Sequence, residues 1–252
     1  MADPPPSSPR RIAAAVVLSI VAGFVDTFGY LTLSNVYTAT MSGNTVLIAV
    51  HGAAGRTPAA LIHAFTIGVF VLGLLVSSVA IELGLRHGLR RVLAMALAIE
   101  AACLAAFALW GAGLVEGGPL GTPQQPHWPL YALITLTGVA MGTQNTSLRM
   151  AGILTIFTTH VTGTITRFGE QLVNFGFALA DGGDRHGSNR PSAYLGNAAF
   201  SGGIWLAFFA GAVLASEMLP RWGVGLVLSL PIGALALAAA ADLLRPMADS
   251  KR

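Results

Sequence analysis

Two carboxylic acids stand isolated in apolar sequence: Asp26 in "VAGFVDTFGY" and Glu100 in "MALAIEAACLAAF". A carboxyl held away from water can exchange a proton or bind a polar solute, and placing its charge at membrane depth costs about 3 kcal/mol on insertion scales. At helical spacing Glu100 neighbours Ala96, Cys103 and Leu104, none of which can pair with a charge. Asp26 shares a helix face with Ser19, Gly23 and Tyr30, spaced four, three and four apart, as a period of 3.6 requires. It reads either as a binding or coupling carboxylate or as a cap on a neighbouring turn. Two clusters rich in hydroxyls and glycine accompany these acids, "TATMSGNTV" from Thr38 and "TTHVTGTIT" from Thr158, as does a Gln144–Asn145 amide pair.

The chain that must position these groups has 252 residues, 54% of them hydrophobic and only 10% charged, where a soluble domain carries about 25% charged residues. Its mean hydropathy is +0.69. This composition is that of a polytopic all-α membrane protein. The net charge of +3 comes from a few Arg in short loops, which act as topology signals and do not form a nucleic-acid surface. Cys103 is the sole cysteine, so no intrachain disulfide and no cysteine metal cage can form. His63 and His160 lack metal-ligand spacing, and no GxSxG, HExxH or Walker pattern occurs. No enzyme activity, metal or cofactor is therefore expected.

Residues 1–11 are rich in Pro and Ser and read as a disordered tail. Residues 12–246 read as one transmembrane domain, and 247–252 as a C-terminal tail. Arg10 and Arg11 before "IAAAVVLSIVAGF" imitate a signal peptide, but the apolar run continues to about Leu33, too long for a signal core. It is taken as the first span. Five more stretches are long enough to cross: Pro58–Gly84, Val92–Leu114, Trp128–Arg149, Leu195–Leu219 and Val224–Leu244. Asn35–Gly52 and Met150–Ala180 are ambiguous, and counting both would give eight spans. Cytoplasmic loops accumulate Lys and Arg. Placing Arg10, Arg11, Arg86, Arg90, Arg91, Arg149, Arg185, Arg190 and the C-terminal Arg245, Lys251 and Arg252 inside leaves those two segments non-crossing. Six spans with both termini cytoplasmic follow.

An internal repeat accompanies this count. Ser19, Gly23, Asp26 and Tyr30 correspond, 119 positions on, to Gly138, Gly142, Asn145 and Arg149. "TATMSGNTV" corresponds to "TTHVTGTIT" at an offset of 120. Repeat one spans 12–114 and repeat two 128–244, each a span, a polar half-helix segment and two more spans. Three crossings per repeat invert the second relative to the first, a plan shared by many secondary transporters. Gly43 and Gly163 permit tight reversal and close approach. Ser42 and Thr162 are expected as N-caps of the half-helices, whose starts would face each other as an anion-friendly site. Arg167 and Glu170 are spaced to pair on a helix, and Arg167 alternatively balances an anionic solute.

"GFVDTFGYLTL", "TMSGNTV", "GVAMGTQNTSLR" and "TTHVTGTIT" together resemble the DUF1275/YoaK-type bacterial membrane proteins, over roughly Gly23 to Leu244. Asp26, Gly43, Asn44, Gly142, Gln144, Asn145, Thr162 and Gly163 match that family's motifs. Ser42 stands where the family usually has Thr, which keeps the hydroxyl. The resemblance implies six spans and names no substrate.

The expected function is secondary transport of a small anionic or zwitterionic solute. The solute site would comprise Asp26, Tyr30, Thr40, Ser42, Gly43, Asn44, Gln144, Asn145, His160, Thr162, Gly163 and Thr164, with Asp26 or Glu100 carrying a coupling proton. A channel, or a scaffold or sensor that transports nothing, is the alternative. The expected partners are the solute and membrane lipid, with no nucleic acid, and a homo-oligomer is compatible with the sequence.

Overall fold

The computed structural model of the chain describes residues 8–89, 91–116, 121–122, 125–150, 161–180 and 191–246, with backbone alone at 121, 122, 125 and 148–150. It is helical throughout: α1 (Pro9–Thr32), α2 (Met41–Ala53), α3 (Thr57–Arg86), α4 (Val92–Ala106), a π-helical turn (Phe107–Gly111), α5 (Ala112–Glu116), α6 (Trp128–Met150), α7 (Val161–Ala180) and α8 (Pro191–Leu244). Between α5 and α6, Gly121–Thr122 and Gln125–Pro126 form a two-residue antiparallel pair. Among the described residues, four helical stretches are long and apolar enough to cross a bilayer: Pro9–Thr32, Thr57–Arg86, Val92–Glu116 and Pro191–Leu244. α6 is one residue shorter than α1 but carries the polar run Thr143–Ser147, buried inside the bundle.

α8 covers both Leu195–Leu219 and Val224–Leu244, expected as separate spans. At about 1.5 Å per residue its 54 residues would extend roughly 80 Å, far beyond one bilayer. Gly223 interrupts it with φ 70° and ψ 167°, a conformation that costs a residue with a Cβ dearly. Two limbs result, 191–222 and 224–244. α3 begins at Thr57, with Pro58 in its first turn, where a missing N–H costs nothing.

Four glycines determine how the long helices cross. On α1, a methyl at Gly23 would overlap the carbonyl of Phe208, while a methyl at Gly211 on α8 would overlap the carbonyl of Ile20. On α6, a methyl at Gly142 would overlap the carbonyl of Phe70, while one at Gly73 on α3 would lie 2.7 Å from the carbonyl oxygen of Val139. Small residues let backbones touch where lipid provides no hydrophobic drive for helix association. α1 thus lies against the first limb of α8, and α6 against α3.

Apolar side chains fill the spaces between these crossings. Leu18, Leu93, Leu97, Leu104, Met141, Ile204 and Leu235 form one cluster. Phe24, Phe28, Ile62, Phe107, Leu133 and Leu228 form another, with Phe28 and Phe107 edge to face at 5.2 Å. The outward faces are also apolar, as at Leu72, Leu75, Val76 and Val79 on α3 and Leu206, Phe209 and Val213 on α8. That is the surface a bilayer covers.

Carboxylates close two distant helix starts. Asp242 on α8 accepts from the amide of Ala94 at 3.0 Å, in the first turn of α4. Glu116, ending α5, accepts from the amide of Val224 at 2.7 Å, where the second limb of α8 begins. Both meet an orphan N–H and the positive end of a helix dipole. Each of these two helices therefore carries, near its far end, the acid that caps the start of the other.

Candidate functional site

The polar stretch that follows α1 folds back along it. Leu33 ends the helix with its amide on the carbonyl of Gly29. Ser34 and Asn35 then take positive φ, 57° and 63°, and reverse the chain. Thr38 donates from Oγ1 to the carbonyl of Val25 at 3.1 Å. Asp26 Oδ1 accepts from the amides of Ala39 at 2.7 Å and Thr40 at 3.2 Å, and Asp26 Oδ2 accepts from the Thr40 hydroxyl at 2.5 Å. Residues 38–40 therefore sit beside residues 25–26, about six positions or roughly 9 Å back from the end of α1. From that depth α2 starts and climbs away.

This geometry corrects two sequence expectations. The chain reverses at Ser34–Asn35, whereas a turn was expected at Ser42–Gly43–Asn44, which instead forms the first turn of α2. The N-cap position belongs to Thr40, whose hydroxyl is on Asp26 and makes no capping bond. Ser42 is accordingly exposed and caps nothing. Asp26 pulls in the amides of Ala39 and Thr40, and so the helix starts two residues earlier than an N-cap at Ser42 would set it. Thr162 likewise lies inside α7, which starts at Val161, and is exposed.

Asn44 is buried and holds the returning strand from the other side. Its Oδ1 accepts from the Tyr37 amide at 3.1 Å and its Nδ2 donates to the Tyr37 carbonyl at 2.5 Å. His63, from α3, donates from Nδ1 to the same Oδ1 at 3.1 Å. A methyl at Gly43 would lie 2.6 Å from the ring of Tyr37, so the glycine makes room for that ring. Tyr37 in turn packs on Tyr30 with centroids 4.9 Å apart. His51 stacks on His63 at 5.4 Å, with planes 7° apart. Asp26, Tyr30, Thr40, Gly43 and Asn44 are thus one cluster.

Sequence reasoning missed His51, His63 and Tyr37 as members of this cluster, and had Thr38 only as the first residue of the polar stretch. His51 follows Asn44 by seven residues, two helical turns, and that spacing could have placed it on the same face. Among the described residues no group of three or more His, Cys, Asp or Glu could hold a metal ion.

The remaining expected residues lie elsewhere. Gln144, on α6, donates from Nε2 to the carbonyl of Leu18 on α1 at 2.9 Å, while its backbone carbonyl accepts from the Ser147 hydroxyl at 2.9 Å. Asn145 is buried beside it. Thr164 is buried on α7 and donates to the carbonyl of Val161 at 2.8 Å, while Gly163 is exposed. α2 packs on α3 and α7 on α8. Arg167 and Glu170 do not make the expected ion pair; among the described residues the ion pairs are Arg86–Glu82 and Arg221–Glu217. His160 and the side chain of Arg149 lie outside the described residues.

Glu100 differs from all of these. It is fully buried on α4, and neither carboxyl oxygen has a hydrogen-bond partner among the described residues. The side-chain oxygen of Gln144 and Nδ1 of His51 are also buried and unpartnered. A buried polar atom without a partner costs about 1–3 kcal/mol, so these are the atoms still able to receive a proton or a ligand's hydrogen bond.

Apolar spanning helices, a returning polar segment and a buried carboxyl define an all-α integral membrane protein. Within that class the chain belongs to the DUF1275 family, described as a protein of unknown function, whose family model matches residues 14–241. A similar relative is the UPF0700 transmembrane protein YoaK of Bacillus subtilis (strain 168), 29% identical over 158 residues, which covers 62% of this chain and 64% of the relative. The match therefore spans a little under two thirds of either protein. No solved structure matches the chain significantly.

Proposed function

We propose that the protein is a secondary transporter of a small anionic or zwitterionic solute in the bacterial inner membrane. In this reading it crosses six times, has both termini in the cytoplasm and consists of two inverted repeats. The observation that carries the reading is the matched pair of glycine crossings. Gly142 follows Gly23 by 119 positions and Val139 follows Ile20 by 119, while Phe208 follows Phe70 and Gly211 follows Gly73 by 138 each. The same contact is thus made twice, with the first helix of each half laid on the third helix of the other. The starts of α2 and α7, Met41 and Val161, stand 120 apart, in the register of the repeat. The reciprocal caps by Asp242 and Glu116 relate the fourth helices of the two halves in the same way. Inverted repeats with broken elements between them are a transporter plan.

Within this plan Asp26 anchors the returning segment and Glu100 is the coupling carboxyl. No catalysis is assigned, and the solute is the only small-molecule partner proposed.

The test begins with topology. In a Cys103→Ser background, Asn35→Cys and Ala54→Cys, which flank α2, are expected to label from the same side of the membrane; labelling from opposite sides overturns the six-span repeat. Proteoliposomes loaded with a pH-sensitive dye are then given amino acids and small carboxylates. A solute that raises the melting temperature is expected to drive proton entry, and Glu100→Gln to abolish entry while keeping the thermal shift. Proton entry at the wild-type rate in Glu100→Gln would remove Glu100 from the mechanism.

A further inference from the structure

A furrow opens between the start of α1 and the end of α8. Its volume is about 670 Å³, and Ala13, Val17, Ala234 and Ala238 are among its lining, with Arg10 and Arg245. The alanines create it: where two helices lie side by side, methyl groups leave space that larger side chains would fill. Along α8 the lining runs from Ala234 to Arg245, about 16 Å at 1.5 Å per residue. That is about half of a hydrocarbon core roughly 30 Å thick, the depth of one leaflet.

The ends of the furrow are chemically unequal. Its length is apolar, and its two guanidiniums stand at the terminal turns, Arg10 in the first turn of α1 and Arg245 just past the end of α8. Both are exposed, and among the described residues neither forms an ion pair. The nearest acid along α8, Asp242, is buried and accepts from the amide of Ala94. α1 carries no acid in its first turn, so the positive end of its dipole is unopposed there and balances the negative end of α8 beside Arg245, which leaves the two guanidiniums as the net charge. One leaflet of apolar length ending in two cations matches one class of molecule, with an acyl chain for the furrow and an anionic headgroup for the arginines.

We infer that this furrow binds an anionic phospholipid, its phosphate between Arg10 and Arg245 and one acyl chain along the alanines. Each guanidinium near a headgroup is worth about a factor of five in affinity, so two give roughly a thirtyfold preference for phosphatidylglycerol over phosphatidylcholine. The inference does not depend on transport, and a scaffold could hold the same lipid.

The experiment uses the full chain in detergent, with the two lipids at matched acyl composition, read by native mass spectrometry and by thermal unfolding. Wild type is expected to retain phosphatidylglycerol selectively and to melt higher with it. In Arg10→Gln/Arg245→Gln the preference is expected to fall to about twofold or less, with phosphatidylcholine retention unchanged. Ala238→Phe, which fills the furrow, should lower retention of both lipids. The arginines are exposed and their replacement leaves the core intact, so the first variant decides the matter even if the second folds poorly. Three results would overturn the proposal: an undiminished preference in the double arginine variant, an equal thermal shift from glycerol phosphate alone, or a dimer whose formation shields the furrow from lipid.

Discussion

Replacing Gly23 with alanine tests the crossing on which the architecture rests. The added methyl would overlap the Phe208 carbonyl and crowd its carbon and Cα, all of them backbone atoms. No rotamer change can relieve that overlap, so α1 and the first limb of α8 must separate. Overpacking a fitted interface costs about 1–3 kcal/mol, and backbone contact puts this site at the upper end. Alanine's helix propensity returns about 1 kcal/mol, for a net loss of about 2 kcal/mol. Gly142→Ala should cost a similar amount, since its methyl would meet the Phe70 carbonyl in the matching crossing. Gly68 and Gly203 serve as controls, because nothing lies within 4 Å of a methyl at either, and alanine there should be neutral or stabilising. Gly23→Ala with Gly211→Ala should be markedly sub-additive, because a single separation of the helices relieves both. Gly23→Ala with Gly142→Ala should add, because the crossings differ. Reversible unfolding in mixed micelles, followed by circular dichroism, gives these values. Gly23→Ala costing no more than Gly68→Ala would refute the reasoning.

Two further outcomes follow from the hydrogen bonds. Asp26→Leu strips acceptors from two amides and a hydroxyl and should destabilise by about 3–5 kcal/mol; Asp26→Asn keeps an acceptor for the amides and should cost only about 1 kcal/mol, so equal losses by thermal unfolding would show that Asp26 does not anchor the segment. Glu116→Gln and Asp242→Asn each leave a helix start with a neutral acceptor in place of a charged one and should each cost about 0.5–1 kcal/mol, measured in the same assay. A cost above about 2 kcal/mol for either would mean that the carboxylate does more than cap.

How much of this was legible in the sequence follows from the range over which each interaction acts. Helices cover all six stretches read as spans, because apolar length is a local property; the two polar segments were singled out because hydroxyls and glycine contrast with their surroundings. The start of α2 was misplaced by two residues because the deciding group, Asp26, lies 13 residues from Ala39. The reversal at Ser34–Asn35 left only a weak signal: asparagine tolerates positive φ, but serine rarely takes it and no glycine marks the turn. Asp242 and Glu116 were unreadable as caps, since their partners stand 148 and 108 residues away. The glycine at position 23 was seen as part of a face, but that its neighbour would be the backbone of Phe208 could only come from the fold.

These contacts also sort the chain's buried polar groups by what each does. In lipid, helices gain little from hiding apolar surface from one another, so close backbone packing and hydrogen bonds must hold them together. Asp26 and Asn44 hold the returning segment, Gln144 ties α6 to α1, and Asp242 and Glu116 cap two helix starts. Each of these has a partner that accounts for it structurally. Glu100 has none among the described residues. A leucine there would fill the same apolar surroundings without the cost of desolvating a carboxyl, so stability alone gives no reason for an acid at that position. What a carboxyl offers that leucine does not is a proton to give and take, and the coupling role proposed for Glu100 rests on that difference.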